Sequence, residues 1–223
     1  MTRIGMGILA VLVTGSAFAE GTEVPPGVER YKAKDWVGTV DAFAPVLAAD
    51  PTNEPGLFYS GKATLQQEKF EEALPYFEKL TATYPDSADY WMWLGRAAGL
   101  SASEASVFRA KRFVNVLKDA FDKALAIDPD HGATHVALVQ FYAEAPFIVG
   151  GSMKKARRHA ESAEGAGEAY GDMAWGIYYS YDKEYNTALE HLNAATEAGI
   201  EEGMAYVFLG RVYAALGETD KAK

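Results

Sequence analysis

Cysteine is absent from the 223-residue sequence, which excludes disulfide bonds, thiolate metal ligands and a catalytic thiol. Basic side chains are the minority charge: 21 lysines and arginines stand against 31 aspartates and glutamates, for a formal net charge of −10. Such a surface repels phosphate groups over most of its area, so nucleic-acid binding is not expected. No apolar run reaches the roughly 20 residues of a membrane-spanning helix, so no membrane span is expected either.

The N-terminal segment, residues 1–19, has the composition of an export signal. Arg3 precedes an apolar stretch at residues 4–13, and the small-residue pattern Ala17-Phe18-Ala19 follows. This order is typical of a signal peptide that is cleaved after its last small residue. We therefore expect residues 1–19 to be removed and the protein to be exported, to the periplasm if the source cell has two membranes and otherwise as a secreted protein.

Amphipathic segments that end in proline recur along the rest of the chain. Pro51, Pro85 and Pro129 follow one another at intervals of 34 and 44 in the sequence. Small and aromatic residues recur within these segments at matching places, among them Gly61, Ala73 and Phe77, then Gly95, Phe121 and Ala124, and later Trp175, Gly176 and Ala188.

In this period and in these positions the sequence resembles the tetratricopeptide repeat (TPR) family across nearly the whole mature chain. The resemblance implies an all-α fold, a right-handed superhelix (α-solenoid) of antiparallel TPR helix pairs with a concave groove. Each pair has an apolar face that only a stacked neighbour can bury.

The repeat spacing divides the mature chain. Residues 20–30, with Pro25-Pro26-Gly27, are expected to form a flexible lead-in. The TPR domain, residues 31–223, is predicted to contain a half-repeat at 31–53, repeats at 54–87, 88–131, 132–168 and 169–202, and an incomplete repeat at 203–223, which we interpret as the end of a fragment. A capping-box pattern at residues 101–104 predicts that the second helix of the repeat 88–131 is lengthened and runs from about Ala102 to Ile127.

Catalytic patterns are incomplete. Residues 56–62 have the spacing of a phosphate-binding loop, but Ala63 replaces the hydroxyl that would bind Mg²⁺. His131 and His135 are four residues apart, but a turn at Gly132 is expected to separate them. We predict no catalytic, metal-binding or cofactor-binding residue, no cofactor, and no enzymatic activity.

The resemblance implies that the first helix of each pair lines the groove. Lys62, Arg96 and Arg211 each directly follow the glycine of their repeat. Three cations in one groove would attract carboxylates, such as an acidic peptide or a C-terminus. The alternative is that these long side chains only extend from the packed face. The other predicted groove residues are Phe58, Met92, Gln140 and Tyr181.

A second candidate site follows Pro146, where the chain reads Pro-x-x-x-Gly-Gly. This segment resembles a hairpin of exported bacterial TPR proteins, including, more distantly, a component that accompanies some periplasmic solute transporters. Free N–H groups and cations at the start of the next helix suggest an anion site. Its residues would be Gly150, Gly151, Ser152, Lys155 and Arg158. The alternative is a longer turn that needs two glycines.

Taken together, these patterns predict an exported TPR scaffold that binds a protein or peptide in the cell envelope through its concave groove. The alternative function is a small-molecule-binding or transporter-accessory periplasmic protein. The sequence leaves the partner and the oligomeric state open, because a repeat fold carries no function by itself.

Overall fold

The computed structural model describes residues 25–199, 202–218 and 220–221, and every regular element in this part of the chain is helical. The helices are α1 (Pro26–Lys32), α2 (Trp36–Ala49), α3 (Glu54–Gln66), α4 (Phe70–Thr83), α5 (Ala88–Glu104), α6 (Val107–Ile127), α7 (Gly132–Glu144), α8 (Met153–Ala166), α9 (Glu168–Asp182), α10 (Tyr185–Glu197) and α11 (Glu202–Ala215), with a 3₁₀ turn at Phe147–Val149. The expected signal peptide, residues 1–19, lies outside the described residues.

Successive helices pack as antiparallel pairs, α1 with α2, α3 with α4, and so on to α9 with α10. Each second helix also packs against the first helix of the next pair, most closely α4 on α5 and α8 on α9. The predicted fold class, a right-handed superhelix of antiparallel TPR helix pairs, is therefore confirmed. In the part of the chain described above, no helix combines the length and the apolar character needed to cross a membrane.

Helix starts are fixed by short polar side chains. Asp35, Asn53 and Ser87 each accept a hydrogen bond from a backbone N–H of the turn that follows, at the starts of α2, α3 and α5. The tight turns that close the pairs α1–α2, α3–α4 and α9–α10 each contain one residue with positive φ; these residues are Lys34, Glu68 and Lys183. The α5–α6 turn contains no residue with positive φ, and the longer α7–α8 turn contains the 3₁₀ turn and Gly150, which has positive φ.

The core forms two clusters of buried apolar residues that meet at α7. Leu138 belongs to the first cluster, which runs back through Phe121, Leu94 and Leu57. Val139 belongs to the second, which runs forward to α11. Within the pairs, a glycine of the first helix faces a large side chain of the second. A Cβ added at Gly61, for example, would lie 2.8 Å from the ring of Phe77.

The expectation of a flexible lead-in at residues 20–30 is wrong for its described part. Residues 26–30 belong to α1, and Pro26 occupies the first helical position, where a missing N–H costs nothing. Gly27 and Val28 are buried, and a Cβ at Gly27 would lie 2.3 Å from the Phe43 ring. Helices α1 and α2 therefore form a pair of the same kind as the pairs that follow.

The predicted start of the lengthened second helix at about Ala102 is also wrong. Helix α5 continues to Glu104 and α6 begins at Val107, so both helices of this pair are longer than those of the preceding pair. Ser101 is buried and its hydroxyl donates to the carbonyl of Ala97, one turn back in the same helix. The serine-rich segment is thus the last turn of α5 and not the cap of α6.

We predict that Gly95→Ala destabilises the fold. Its Cβ would lie 2.4 Å from the ring of Phe121, which is fully buried, so the ring or the helix would have to shift. We expect the free energy of unfolding in urea to fall by about 1–3 kcal/mol. The matched control is Gly165→Ala in α8, where a Cβ meets nothing within 4 Å, and there helix propensity should leave stability unchanged or slightly raised. Equal effects of the two substitutions would contradict the packing role of Gly95.

Candidate functional site

The first predicted groove cluster lies where α3 and α5 run side by side. The ammonium of Lys62 is 4.6 Å from the centroid of the Trp93 ring, and the guanidinium carbon of Arg96 is 5.0 Å from the same ring. Lys62 also lies 5.3 Å from the Tyr31 ring and 5.1 Å from the Phe58 ring. Two of the three predicted cations therefore converge on one indole, each half-buried and attracted to its face.

Phe58 and Met92, which were predicted to line the groove, are core residues. Phe58 is 8% exposed and Met92 is 4% exposed, and both belong to the first core cluster. Phe58 packs edge-on against Trp93, with 6.0 Å between ring centroids. It therefore contacts the Trp93 ring from the side of the core. Because the core buries both side chains, they offer almost no surface to a partner.

The second cluster joins three other predicted residues through Glu144. Gln140 donates to the carboxylate of Glu144 at 3.4 Å, and the Arg211 guanidinium lies 3.8 Å from it. Arg211 also donates to the Tyr181 hydroxyl at 2.8 Å. Burial raises the pKa of Tyr181, the Glu144 carboxylate raises it further, and the charge of Arg211 opposes this. A cavity of about 140 Å³ opens beside Tyr181 and Arg211.

The second cluster contains an acidic side chain as well as a cation. The carboxylate of Glu144 on α7 lies next to the Arg211 guanidinium. A ligand carboxylate would therefore have to compete with Glu144 for Arg211. Lys62 and Arg96 bring two positive groups to one aromatic ring. The structure thus brings Lys62 and Arg96 together at Trp93, and Gln140 and Tyr181 together with Arg211 and Glu144.

At the α7–α8 loop, the backbone uses the N–H groups that an anion would need. The N–H of Gly150 donates to Phe147, that of Gly151 to Pro146, and that of Ser152 to Tyr142. Gly150 has φ of +109°, and a Cβ at Gly151 would lie 1.7 Å from the carbonyl oxygen of Ala145. Both glycines are therefore required by the turn, which is the alternative that the sequence left open.

The remaining residues of the predicted anion site have other surroundings. Ser152 accepts a weak hydrogen bond from the N–H of Lys155 at 3.4 Å and begins α8. The Lys155 ammonium lies 5.0 Å from the centroid of the Tyr142 ring. Arg158 is exposed on the next turn. These cations remain available to a ligand, but the three loop N–H groups do not.

A pair of histidines at the α7–α8 interface, with His135 buried and His159 half-buried, was not predicted. The Nδ1 atoms of His135 and His159 are 3.1 Å apart, and Nε2 of His135 donates to the carbonyl of Pro129. The His159 ring stacks on Tyr142, with 5.5 Å between centroids. Burial lowers the pKa of His159 to about 4, and the nearby His135 and Lys155 lower it in the same direction.

The two histidines that the sequence places four residues apart have separate partners. His131 contacts the Thr134 hydroxyl at 2.8 Å and the Asp89 carboxylate at 3.2 Å, whereas His135 faces His159. Among the described residues, no group of three or more histidine, aspartate or glutamate side chains is placed to hold a metal ion. The pairing of His135 with His159 joins two different helices, so spacing within one helix does not reveal it.

The fold and these clusters allow a comparison with known proteins. Residues 60–132 match the family model of the tetratricopeptide repeat. None of the curated proteins matches the chain. The family match covers α4, α5 and α6 and the part of α3 that carries Lys62.

Solved structures extend this likeness to most of the chain. A thermophilic TPR protein of Thermus thermophilus is 18% identical with a TM-score of 0.67, over 83% of this chain and 95% of its own. The crystal structure of MamA is 19% identical with a TM-score of 0.54, over 82% of this chain and 99% of its own. A TPR protein of Parabacteroides merdae is 12% identical with a TM-score of 0.50, over 88% of this chain and 73% of its own. At these identities the likeness shows the fold alone.

We predict that the histidine pair makes stability depend on pH. An unfolded histidine has a pKa near 6.5, so between about pH 6.5 and pH 4 the unfolded chain binds a proton that folded His159 does not. Stability therefore falls as the pH falls through this range. His159→Gln removes this contribution, and its midpoint of thermal unfolding should drop less between about pH 7 and pH 4.5 than that of the parent. Parallel curves for the two proteins would contradict the assignment.

Proposed function

We propose that this protein is an exported, non-enzymatic TPR scaffold that binds a protein or peptide in the cell envelope through its concave groove. The observation that carries the proposal is the convergence of Lys62 and Arg96 on Trp93. The signal-peptide pattern of residues 1–19 supports export, and the TPR fold supports a scaffold role.

The chemistry of the Trp93 cluster favours a carboxylate. The N–H groups of Lys62 and Arg96 are donors to an anionic oxygen, and such charge-assisted bonds are about twice as strong as neutral ones. Three aromatic rings restrict the Lys62 side chain, so binding a ligand costs little additional rotamer entropy. An acidic side chain or a C-terminal carboxylate would bridge the two cations, and an adjacent apolar side chain would pack on the partly exposed indole.

Size favours a peptide laid along the groove over a small molecule in a pocket. A cavity between α2, α3 and α4, lined by Asp41, Gln67 and Tyr76 among others, has a volume of about 190 Å³. Drug-sized ligands occupy pockets of roughly 300–1,000 Å³. Lys62, Trp93 and Arg96 are instead partly exposed at the surface, where a peptide could reach all three.

The test uses short acidic peptides labelled with a fluorophore, each made with a free C-terminal carboxylate and as the C-terminal amide. We expect binding, measured by fluorescence anisotropy, that weakens as salt is raised. Lys62→Ala with Arg96→Ala should weaken it by about tenfold or more, because each lost bond to a charged group contributes on the order of 1.5–3 kcal/mol.

The matched control is Lys79→Ala with Lys154→Ala, which removes two exposed cations outside the groove and the same total charge. If the control weakens binding as much as the groove variant, the effect comes from net charge and the assignment of the groove is wrong. If a peptide binds equally well with a free C-terminal carboxylate and as the C-terminal amide, the site recognises acidic side chains and not the C-terminus.

A further inference from the structure

The loop between α7 and α8 holds two large apolar side chains in water. Phe147 is 90% exposed and Ile148 is 83% exposed. They are adjacent in a 3₁₀ turn whose base is tied by hydrogen bonds from the N–H of Ser152 to Tyr142 and from the N–H of Gly151 to Pro146. These bonds tie the base of the loop while both side chains lie in solvent, and adjacent exposed apolar groups are typical of an interaction site.

Helix α6 supports the loop from the side. The ammonium of Lys118 donates to the carbonyl oxygen of Val149 at 3.2 Å, next to the exposed pair. Lys118 also lies 5.7 Å from the Phe141 ring of α7. These contacts fix the loop against a neighbouring pair of helices and place one more positive charge beside its apolar tip.

Cations follow the loop directly. Lys154, Lys155, Arg157 and Arg158 are all exposed on the first two turns of α8, and no acidic residue occurs between Pro146 and Glu161. Arg157 pairs with Glu161 at 3.2 Å. Within the described ranges, neither Lys154 nor Arg158 has a carboxylate partner. In a chain with a net charge of −10, this is a local concentration of the minority charge.

The start of α6 adds a similar feature at the same edge of the superhelix. Because both pairs are antiparallel, the turns α5–α6 and α7–α8 lie at the same edge. Phe108, in the first turn of α6, is 95% exposed, and Lys111 and Arg112 are exposed on the next turn. Arg109 adds no free charge there, because its guanidinium pairs with Glu71 at 2.5 Å.

We propose that this edge docks on an anionic phospholipid membrane. Phe147 and Ile148 would enter the boundary between headgroups and acyl chains, and Lys154 and Arg158 would lie against lipid phosphates. Convex apolar tips fit a fluid surface that closes around them, whereas a protein partner would need a matching cavity. Apolar side chains with lysine and arginine beside them are the chemistry by which proteins bind an anionic interface. None of these residues belongs to the Trp93 cluster, so the inference does not rest on the peptide-binding proposal.

The chain has no cysteine, so a single introduced thiol reports on one position. We would label Ile148→Cys with a polarity-sensitive fluorophore and add vesicles of phosphatidylglycerol in phosphatidylcholine, or of phosphatidylcholine alone. The emission should shift to the blue and become accessible to lipid-borne quenchers with the anionic vesicles only. The control is Val207→Cys on α11, which is 59% exposed and should not shift. The proposal is overturned if Ile148→Cys shows no shift, or the same shift with both kinds of vesicle.

Charge and apolar contributions are then separated by vesicle co-sedimentation of the full chain. Lys154→Gln with Arg158→Gln, and Phe147→Ser with Ile148→Ser, should each weaken binding to the anionic vesicles by about tenfold or more. Lys79→Gln with Lys123→Gln is the charge control and should retain binding. Variants that bind as the parent does would overturn the proposal. A change in oligomeric state of the Phe147→Ser, Ile148→Ser variant in sedimentation, without vesicle binding by the parent, would instead make this edge a protein interface.

Discussion

The close contact between a glycine of one helix and a large side chain of its partner sets the geometry of this protein. Three such pairs, Gly27 with Phe43, Gly61 with Phe77 and Gly95 with Phe121, follow one another with the same interval between successive glycines. Only a residue without a Cβ lets the helices of a pair approach this far. The rings of Phe43 and Phe77 also stack on Tyr59 and Trp93 of the next pair, so the side chain that closes one pair also packs against its neighbour.

This constraint also places the cations. Successive residues of a helix point about 100° apart, so the residue after each glycine turns away from its partner helix. In α3 and α5 that residue is Lys62 or Arg96, and both reach the ring of Trp93 on the side of the first helices. The groove chemistry is therefore a consequence of the packing period. A repeat that lost its glycine would lose the orientation of the cation beside it.

The period explains how much of the structure is predictable. The helix pairs and the residues that follow each glycine can be found because both obey the repeat spacing. The start of the lengthened helix was predicted wrongly at Ser101. A serine that caps the next helix and a serine that donates to the previous turn of its own helix, as Ser101 does, look alike in sequence. Gly27 lies in a segment predicted to be flexible, although its interval from Gly61 equals that between Gly61 and Gly95, and this was the available signal. The prediction fails for Phe58 and Met92 because one turn of helix carries both groove-facing and core-facing residues.

Contacts between distant parts of the chain have no such signal. The approach of Glu144 to Arg211 and that of His159 to His135 depend on how neighbouring helices stack, which no local pattern encodes. The same stacking determines which charged side chains lie close together on the surface. At physiological salt, fields between exposed charges decay over about 8 Å, so the net charge of −10 does not decide what each surface attracts. The superhelix puts the Trp93 cations on its first helices and the α8 cations after a turn, so the two proposed surfaces carry their positive charge at different places.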